Sequence, residues 1–474
     1  MSLGLFGTLG LAARSLQTQQ LGLEVTGQNL ANVDNPAYAR QRLSISTSAT
    51  IPTSIGAQGT GAEGVAIQQI RSSLIDSQIQ AETSIGSYWD TMQQALQSVQ
   101  ADLGEQINTQ ATGTDGTTST SSQQGISQGL SDLFNAFQSL STDPSSMAER
   151  QVLLQKAQTL VSQFNQVSQQ LGSLSGDLDQ SLQGGVTSAN QLLSDIASLN
   201  NQIATTELST NSTANDLRDL RQQKIEELSK LAKVDTVEQN DGTVDVSISG
   251  TQLVNGVNVL DSLETYTTSG GQLMVRTQTG GTALALNSGS MQSTIDARDG
   301  TLATLSNSLD AIASQVITSV NAIHYDGYGL TGTTHNDFFT GSDAQTIGVN
   351  TTLTDDPRLI QASGTNGAAG DNQVALALAQ LADQPIAALS NQTISQAYNQ
   401  AVSTLGQALA SANTQVADQQ VVQNMLQQQR ASVSGVSMDE EMTNLTTYQR
   451  AYEASAKLIT VIDEMLTTLI NMKT

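Results

Sequence analysis

Apolar residues recur every seven positions at both ends of the chain. Near the start, Leu9, Leu16, Leu23 and Leu30 keep this step, with Leu5, Ala12 and Ala13 between them. Near the end, Met438, Leu445, Tyr452, Ile459 and Leu466 keep it, while Met442, Ala456, Ile462 and Leu469 fill much of a second seam. A heptad stripe is a coiled-coil pattern and needs a partner to bury it. The pattern predicts a helix from about Leu5 to Val33, roughly 43 Å long at 1.5 Å per residue. It predicts another from Ser437 onward, opened by a Ser437-x-x-Glu440 capping box, with Asp439, Glu440 and Glu441 in the first turn where the helix dipole favours negative charge. Gly10, Gly22 and Gly27 each cost the first helix about 1 kcal/mol relative to Ala. It is therefore expected to be weak alone and to form when packed, the glycines allowing close approach. The matched stripes predict that the two ends pair with each other and with copies from neighbouring subunits; an antiparallel pair within one monomer is the plainer alternative.

Between the ends the period is mostly helical. Ser44 to Ile70 is Ser/Thr/Gly-rich and reads as irregular or short strands. Arg71 to Asp102 turns helical through Leu74, Ile75, Ile79, Trp89, Met92, Leu96 and Val99. Residues 104–125 form a polar low-complexity segment, expected to be a mobile loop. Asp143 as cap and Pro144 at the first helical position predict the start of a long helix, broken at Gly184-Gly185 and followed by a further run from Leu217 to Leu231. Near Val234 the period changes to two: Val244, Val246 and Ile248 alternate with polar residues, and Asn255-Gly256 is a hairpin signal. Further strands are expected at Gln272 to Thr277 and Thr282 to Leu286. Helix resumes at Leu302 to Ile323, a Gly/Thr/Asn-rich excursion covers 327–371, and helix returns from Thr393 to Val433. The expected fold is mainly α with an inserted small antiparallel β domain. It has terminal coiled-coil helices, a central helical rod domain and a nested, discontinuous layout. The expected divisions are 1–45 with 434–474 as a terminal assembly domain, 46–233 with 292–433 as the rod domain, and 234–291 as the β insertion.

Composition narrows the function. Lys and Arg number 18 against 43 Asp and Glu, a formal net charge of -25, with no cysteine. Nucleic acid and membrane insertion are excluded as expectations, because the first needs basic patches and no run of eighteen apolar residues exists for the second. The first fifteen residues lack the basic region and apolar core of a cleaved secretory signal. No nucleophile, phosphate-loop or metalloprotease motif is present. His324-Tyr325-Asp326 and His335-Asn336-Asp337 supply metal-ligand residue types. They lie in a Gly/Thr-rich loop with no orienting partners, so no metal, cofactor or catalytic residue is assigned and no enzyme is expected.

The turn after the first helix carries the most specific pattern. Asn29-Leu30-Ala31-Asn32 is followed by Asn35-Pro36-Ala37-Tyr38-Ala39-Arg40-Gln41. This resembles the N-terminal signature of the bacterial flagellar rod, hook and hook-associated proteins, carried here by Asn29, Asn32, Pro36, Tyr38, Arg40 and Gln41. The resemblance extends to SGVSMDEE…YQRAYEASAKLI at the end and to helical stretches such as FNAFQSLSTDPSSMAERQVLLQKAQ and LRDLRQQKIEELSKL. It is strongest to the hook-associated members. Ala37 departs from the family's glycine after the turn proline, so no positive φ is expected there.

The resemblance implies a secreted structural subunit at the junction of hook and filament, exported by the flagellar type III apparatus. The implied partners are a homo-oligomeric ring, hook protein, a second junction protein on the filament side and a cytoplasmic export chaperone. The assembly interface would comprise Leu9, Leu16, Leu23, Leu30, Met438, Met442, Leu445, Tyr452, Ile459, Ile462, Leu466 and Leu469. The chaperone would grip Met438, Leu445, Tyr452, Ile459 and Leu466. Competing readings are another flagellar axial protein (hook, distal rod or second junction protein) and a secreted adhesin displaying the β domain.

Overall fold

The first helix, α1 (Gly4–Ala31), stops where side chains offer the backbone something better than the next helical turn. Asn35 accepts the Ala37 N–H on its side-chain oxygen at 3.1 Å, an Asx turn just before the chain becomes extended. The computed structural model describes residues 4–53, 56–104, 125–210 and 212–472.

From the turn the chain enters β1 (Gln41–Thr47), continues through β2 (Thr50–Thr53) and β3 (Gly56–Gly59), and returns in β4 (Ala62–Gln69). β1 pairs antiparallel with β4, Gln41 facing Gln69, and β2 pairs with β3. What the sequence pattern left as irregular or short strands is thus a two-tier hairpin. It lies on α1, where the Thr18 hydroxyl donates to the carbonyl of Ala62 at 3.2 Å.

Next come α2 (Ser73–Asp102), α3 (Ile126–Thr142), α4 (Met147–Thr210) and α5 (Asn215–Leu231). Residues 105–124, nearly all of the expected mobile loop, lie outside the described residues. Asp143 does not start α4; it is the C-cap of α3, and α4 begins after the turn at Met147. The reason is Arg150, only 1% exposed, whose Nε and Nη2 both donate to the carbonyl of Pro144, at 3.0 and 2.6 Å. That clamp holds the turn out of the helix. Nor does α4 break at Gly184-Gly185; it runs on for 64 residues. Leu182, Val186 and Ala189 are buried on either side of the pair, and this packing outweighs glycine's poor propensity.

The strands β5 (Val234–Glu238), β6 (Val244–Ile248), β7 (Thr251–Asn255) and β8 (Asn258–Val259) form one antiparallel sheet in sequential order. The Asn255-Gly256 turn is where the dipeptide predicted it, with Asn255 facing Asn258 and Gly256 at φ 54°. β9 (Leu263–Thr267) and β10 (Leu273–Thr277) make a second hairpin. The strand expected at Thr282 to Leu286 is absent. A single bridge joins Arg276 to Ala283, because the Thr277 side chain and backbone close a tight turn with Thr282.

The return path is α6 (Ser290–Asp296), a π-helical turn at 297–302, and α7 (Ala303–His324). A short hairpin of β11 (Phe339–Thr340) and β12 (Gly348–Val349) follows, then α8 (Thr351–Asp355) and α9 (Gln373–Gln380). α10 (Ile394–Ser434) opens with a complete Thr393/Gln396 capping box, and α11 (Met438–Asn471) closes the described chain. The fold is mainly α with a small antiparallel β insertion.

Two large apolar cores lie along this frame, besides a small cluster of Ile75, Ile79 and Leu426 where α2 meets α10. The larger joins α2, α3, the first part of α4, α7, α9 and α10 around Leu96, Phe137, Phe164, Val316, Tyr398 and Leu405. The smaller runs from Leu182 to Ile295 and seats Val246, Ile248, Leu253 and Val275 of the strands on α4, α5 and α6. The strands therefore do not bury a core by themselves: the unit defined by contact begins at Leu182, not Val234.

Candidate assembly interface

α1 and α11 lie side by side, antiparallel, and three contacts set their register. The hydroxyls of Ser15 and Ser455 are 3.0 Å apart, Gly22 lies under the ring of Tyr448, and Asn29 Nδ2 donates to Glu441 Oε2 at 3.0 Å. Each step of seven along α1 is matched by a step of seven back along α11, as a heptad seam requires. The facing layer of α1 is small and polar, one residue before the leucine stripe. Leu9, Leu16, Leu23 and Leu30 themselves are half-buried beside it. Of the three glycines, Gly22 alone makes the close approach: a Cβ there would sit 2.6 Å from the Tyr448 ring. Gly27 faces open space.

On α11 the predicted seam divides. Ile462 is 3% exposed; Leu445, Tyr452, Ile459 and Leu466 are half-buried. Met438, Met442 and Leu469 stand out in solvent. Between them runs a second apolar stripe that the heptad reading missed. It comprises Leu458, Val461 and Met465, which are 43%, 44% and 54% exposed, and continues into Leu469 and Met472. Its spacing of three and four is the signal that could have found it.

The start of α11 differs from expectation. Ser437 occupies the N-cap position, but its side chain makes no capping bond. Glu440, needed for the capping box, is drawn instead to Arg40, whose Nη1 donates to Glu440 Oε2 at 2.6 Å. Arg40 Nη2 also meets Glu441 Oε1 at 2.7 Å. Glu441, 2% exposed, therefore spans Arg40 with one oxygen and Asn29 with the other.

This ties the signature residues into one network. Asn29 also donates to the carbonyl of Gln41 at 2.8 Å and accepts from the Tyr38 hydroxyl and the Gln41 N–H, both at 2.9 Å. The Arg40 N–H donates to the Ser434 carbonyl at 2.8 Å, stitching the turn to the end of α10. Gln41 Nε2 reaches Asp216 at 2.9 Å on α5. Asn32 and Pro36 stay outside this network: Asn32 Nδ2 donates to its own helix at Gln28, and Pro36 is exposed.

Asp219, which sequence reasoning did not single out, anchors the far side. It accepts from the Ala39 N–H at 3.1 Å and from Gln69 Nε2 and Arg71 Nη1, both at 2.5 Å. Burial pushes its carboxyl up to about 6, against the Ala39 N–H and Arg71, while the neighbouring charges of Asp216 and Asp76 add to the rise. The Tyr38 hydroxyl is raised too, first by burial and then by Asp216, Asp219 and Glu441.

The histidines do not come together as ligands. His324 is fully buried, its Nδ1 2.7 Å from the Asn336 carbonyl and its Nε2 accepting the Gln361 N–H at 2.9 Å. Burial lowers it to about 4. Both ring nitrogens are thus spent on holding the 336 and 361 loops. Among the described residues no group of three or more His, Asp or Glu has metal-site geometry.

Comparison with known proteins gives a consistent result. The family model described as the flagellar hook-associated protein FlgK helical domain matches residues 111–339, and that of the flagellar basal body rod FlgEFG protein C-terminal region matches 427–472. The chain is 28% identical to flagellar hook-associated protein 1 of Bacillus subtilis, over 98% of each chain. It is 22% identical to the protein of that name from Escherichia coli, over 98% of this chain and 99% of the relative. Among solved structures, the flagellar hook junction protein FlgK from Burkholderia pseudomallei superposes with a TM-score of 0.64 at 16% identity, covering 76% of this chain and all of that one. The resemblance read from the terminal motifs is borne out.

Proposed function

We propose that this chain, recognisable along 98% of its length as a relative of flagellar hook-associated protein 1, is a structural subunit of the bacterial flagellum at the junction of hook and filament. The observation that carries the mechanism is the terminal helix pair. α1 and α11 lock in a heptad register inside one chain, yet α11 keeps Leu458, Val461, Met465 and Leu469 in solvent. An exposed apolar stripe on a long helix is a surface for another helix. Subunits side by side bury it, closing a ring whose ends meet hook protein below and the second junction protein above.

The same helices suit export. α1 has glycine at four internal positions and a polar packing layer, so its order depends on α11 and it can travel unfolded. Export through the type III apparatus then requires that α11 be masked beforehand. A chaperone holding Met438, Leu445, Tyr452, Ile459 and Leu466 does this in a helix-in-groove mode. Four of those five are half-buried once α11 lies on α1, so the chaperone must act before the pair closes. In domain terms, residues 1–45 with 434–474 form the assembly unit and 46–233 with 292–433 the rod, and the inserted strands of 234–291 share their core with the rod from Leu182 onward.

Electron microscopy of a strain lacking the gene, with the growth medium assayed for flagellin, tests this reading. Bare hooks with flagellin shed into the medium are expected. Complete filaments with lost adhesion would instead make the chain a surface accessory displaying its β insertion. Absent hooks would place it in the rod or hook itself.

A further inference from the structure

A polar cleft of about 530 Å³ opens between α2, α5 and the strands β4 and β5, away from the terminal helices. Three guanidiniums line it. Arg71 is matched by Asp76 and Asp219, and Arg218 by Glu207 and Glu238. Arg221 is 5% exposed and forms no ion pair among the described residues. Its Nη1 donates to Asn200 Oδ1 at 2.9 Å and to the Gly242 carbonyl at 2.6 Å, which fixes the side chain. Among the described residues its Nε and Nη2 have no hydrogen-bond partner, and Arg221 is one of the residues that line the cleft. Arg150, the other deeply buried arginine without a carboxylate, is different: all three of its nitrogens are spent on carbonyls.

We propose that the cleft is a binding site for a small monocarboxylate, held bidentately by Nε and Nη2 of Arg221. A planar fork fixed at one nitrogen and open at two matches the two oxygens of a carboxylate. Burial, and then Arg218, lower Arg221 to about 10 against the opposing pull of Glu238 and Glu207, whose carboxylates are bonded to Arg218 rather than to Arg221. A bound anion relieves that penalty. Asp76 and Glu238 also line the cleft; although each has its own arginine, together they disfavour a second negative charge, which selects a monoanion over a phosphate dianion. Gln80, Gln222 and Thr236 supply polar contacts for the body of the ligand, and Ile225 and Val244 an apolar floor.

Titration of the full chain with sodium propionate tests the assignment, set against propionamide and against sodium chloride at equal ionic strength. A saturable rise in melting temperature and a saturable shift of the Arg221 Nε–H resonance are expected with propionate alone. Arg221→Lys keeps the charge but loses the fork, and should bind about tenfold more weakly. Gln222→Glu leaves Arg221 and its two bonds in place, brings a carboxylate into the cleft and should abolish the response. It carries the test if Arg221→Lys does not fold. Equal effects of propionate and propionamide, tighter binding of hydrogen phosphate, or an undiminished response in Gln222→Glu would each overturn the proposal.

Discussion

Asn29 and Glu441 are 412 residues apart in sequence and hydrogen-bonded at 3.0 Å, with Arg40 closing the other oxygen of the same carboxylate. The end of the first helix and the start of the last are thereby fixed to each other and to the strand that leaves them. Removing Arg40 leaves the buried Glu441 with the amide of Asn29 and no cation. Arg40→Ala should destabilise the terminal pair by about 3 kcal/mol, the usual penalty for breaking a buried ion pair. Arg40→Ala with Glu441→Gln should recover part of that loss, because the replacement carries no charge. Hydrogen exchange across α1 and α11 measures both.

Gly22 is the position where α1 yields to an aromatic ring. Gly22→Ala gains about 1 kcal/mol of helix propensity and drives a methyl into Tyr448. Overpacking of this kind costs about 1–3 kcal/mol, so a net loss is expected. Gly27→Ala, facing open space, should stabilise the helix instead. Thermal unfolding of the two variants should therefore move in opposite directions.

Assembly and folding separate on α11. Leu458→Asp and Met465→Asp alter side chains already in solvent, so the monomer should melt normally while incorporation into flagella fails. Ile462→Asp buries a charge in the seam and should release α11 from α1, raising exchange along both helices. Leu445→Asp and Ile459→Asp, both half-buried, should lose incorporation while the two apolar cores still melt cooperatively. Normal incorporation of Met465→Asp would remove the outer stripe from the mechanism.

Two buried groups oppose each other with pH. Asp219 titrates near 6 in the folded chain, above the ordinary carboxylate range, so the folded state holds the proton more tightly. Its contribution is full below about 4 and is lost as pH rises through 6. His324 titrates near 4, below its ordinary value. The unfolded chain takes that proton first, and stability falls as pH drops from about 6.5 toward 4. Each effect is worth about 3 kcal/mol at full extent, and the two largely offset. Against an Asp219→Asn variant, the parent's relative melting temperature should rise from pH 7.5 to 5; against His324→Gln it should fall.

The helical frame, the Asn255-Gly256 turn and the signature turn were all legible because local chemistry decides them. The heptads also announced the terminal pair, but not its phase. A stripe of leucines marks a face, while the layer that meets α11 is Ser15, Gly22 and Asn29, residues whose size and polarity no hydrophobic count detects. Gly184-Gly185 and Asp143-Pro144 misled for a related reason. Their local preference is real, but Leu182 and Val186 hold the first helical, and Arg150 holds the second open. Glu440 was legible as a cap and serves as a counter-ion, because Arg40 comes from a distant part of the chain. Asp219 had no local signal at all; its partners at 39, 69 and 71 converge only in the folded molecule.

The antiparallel register makes the first helix depend on the last. Ser15, Gly22 and Asn29 find their counterparts only at 455, 448 and 441. A polypeptide that stops short of Met438 leaves α1 with a hairpin on one side and water on the other. Order at the beginning thus reports completion at the end: the first helix is structured only in a chain that has been synthesised through the last.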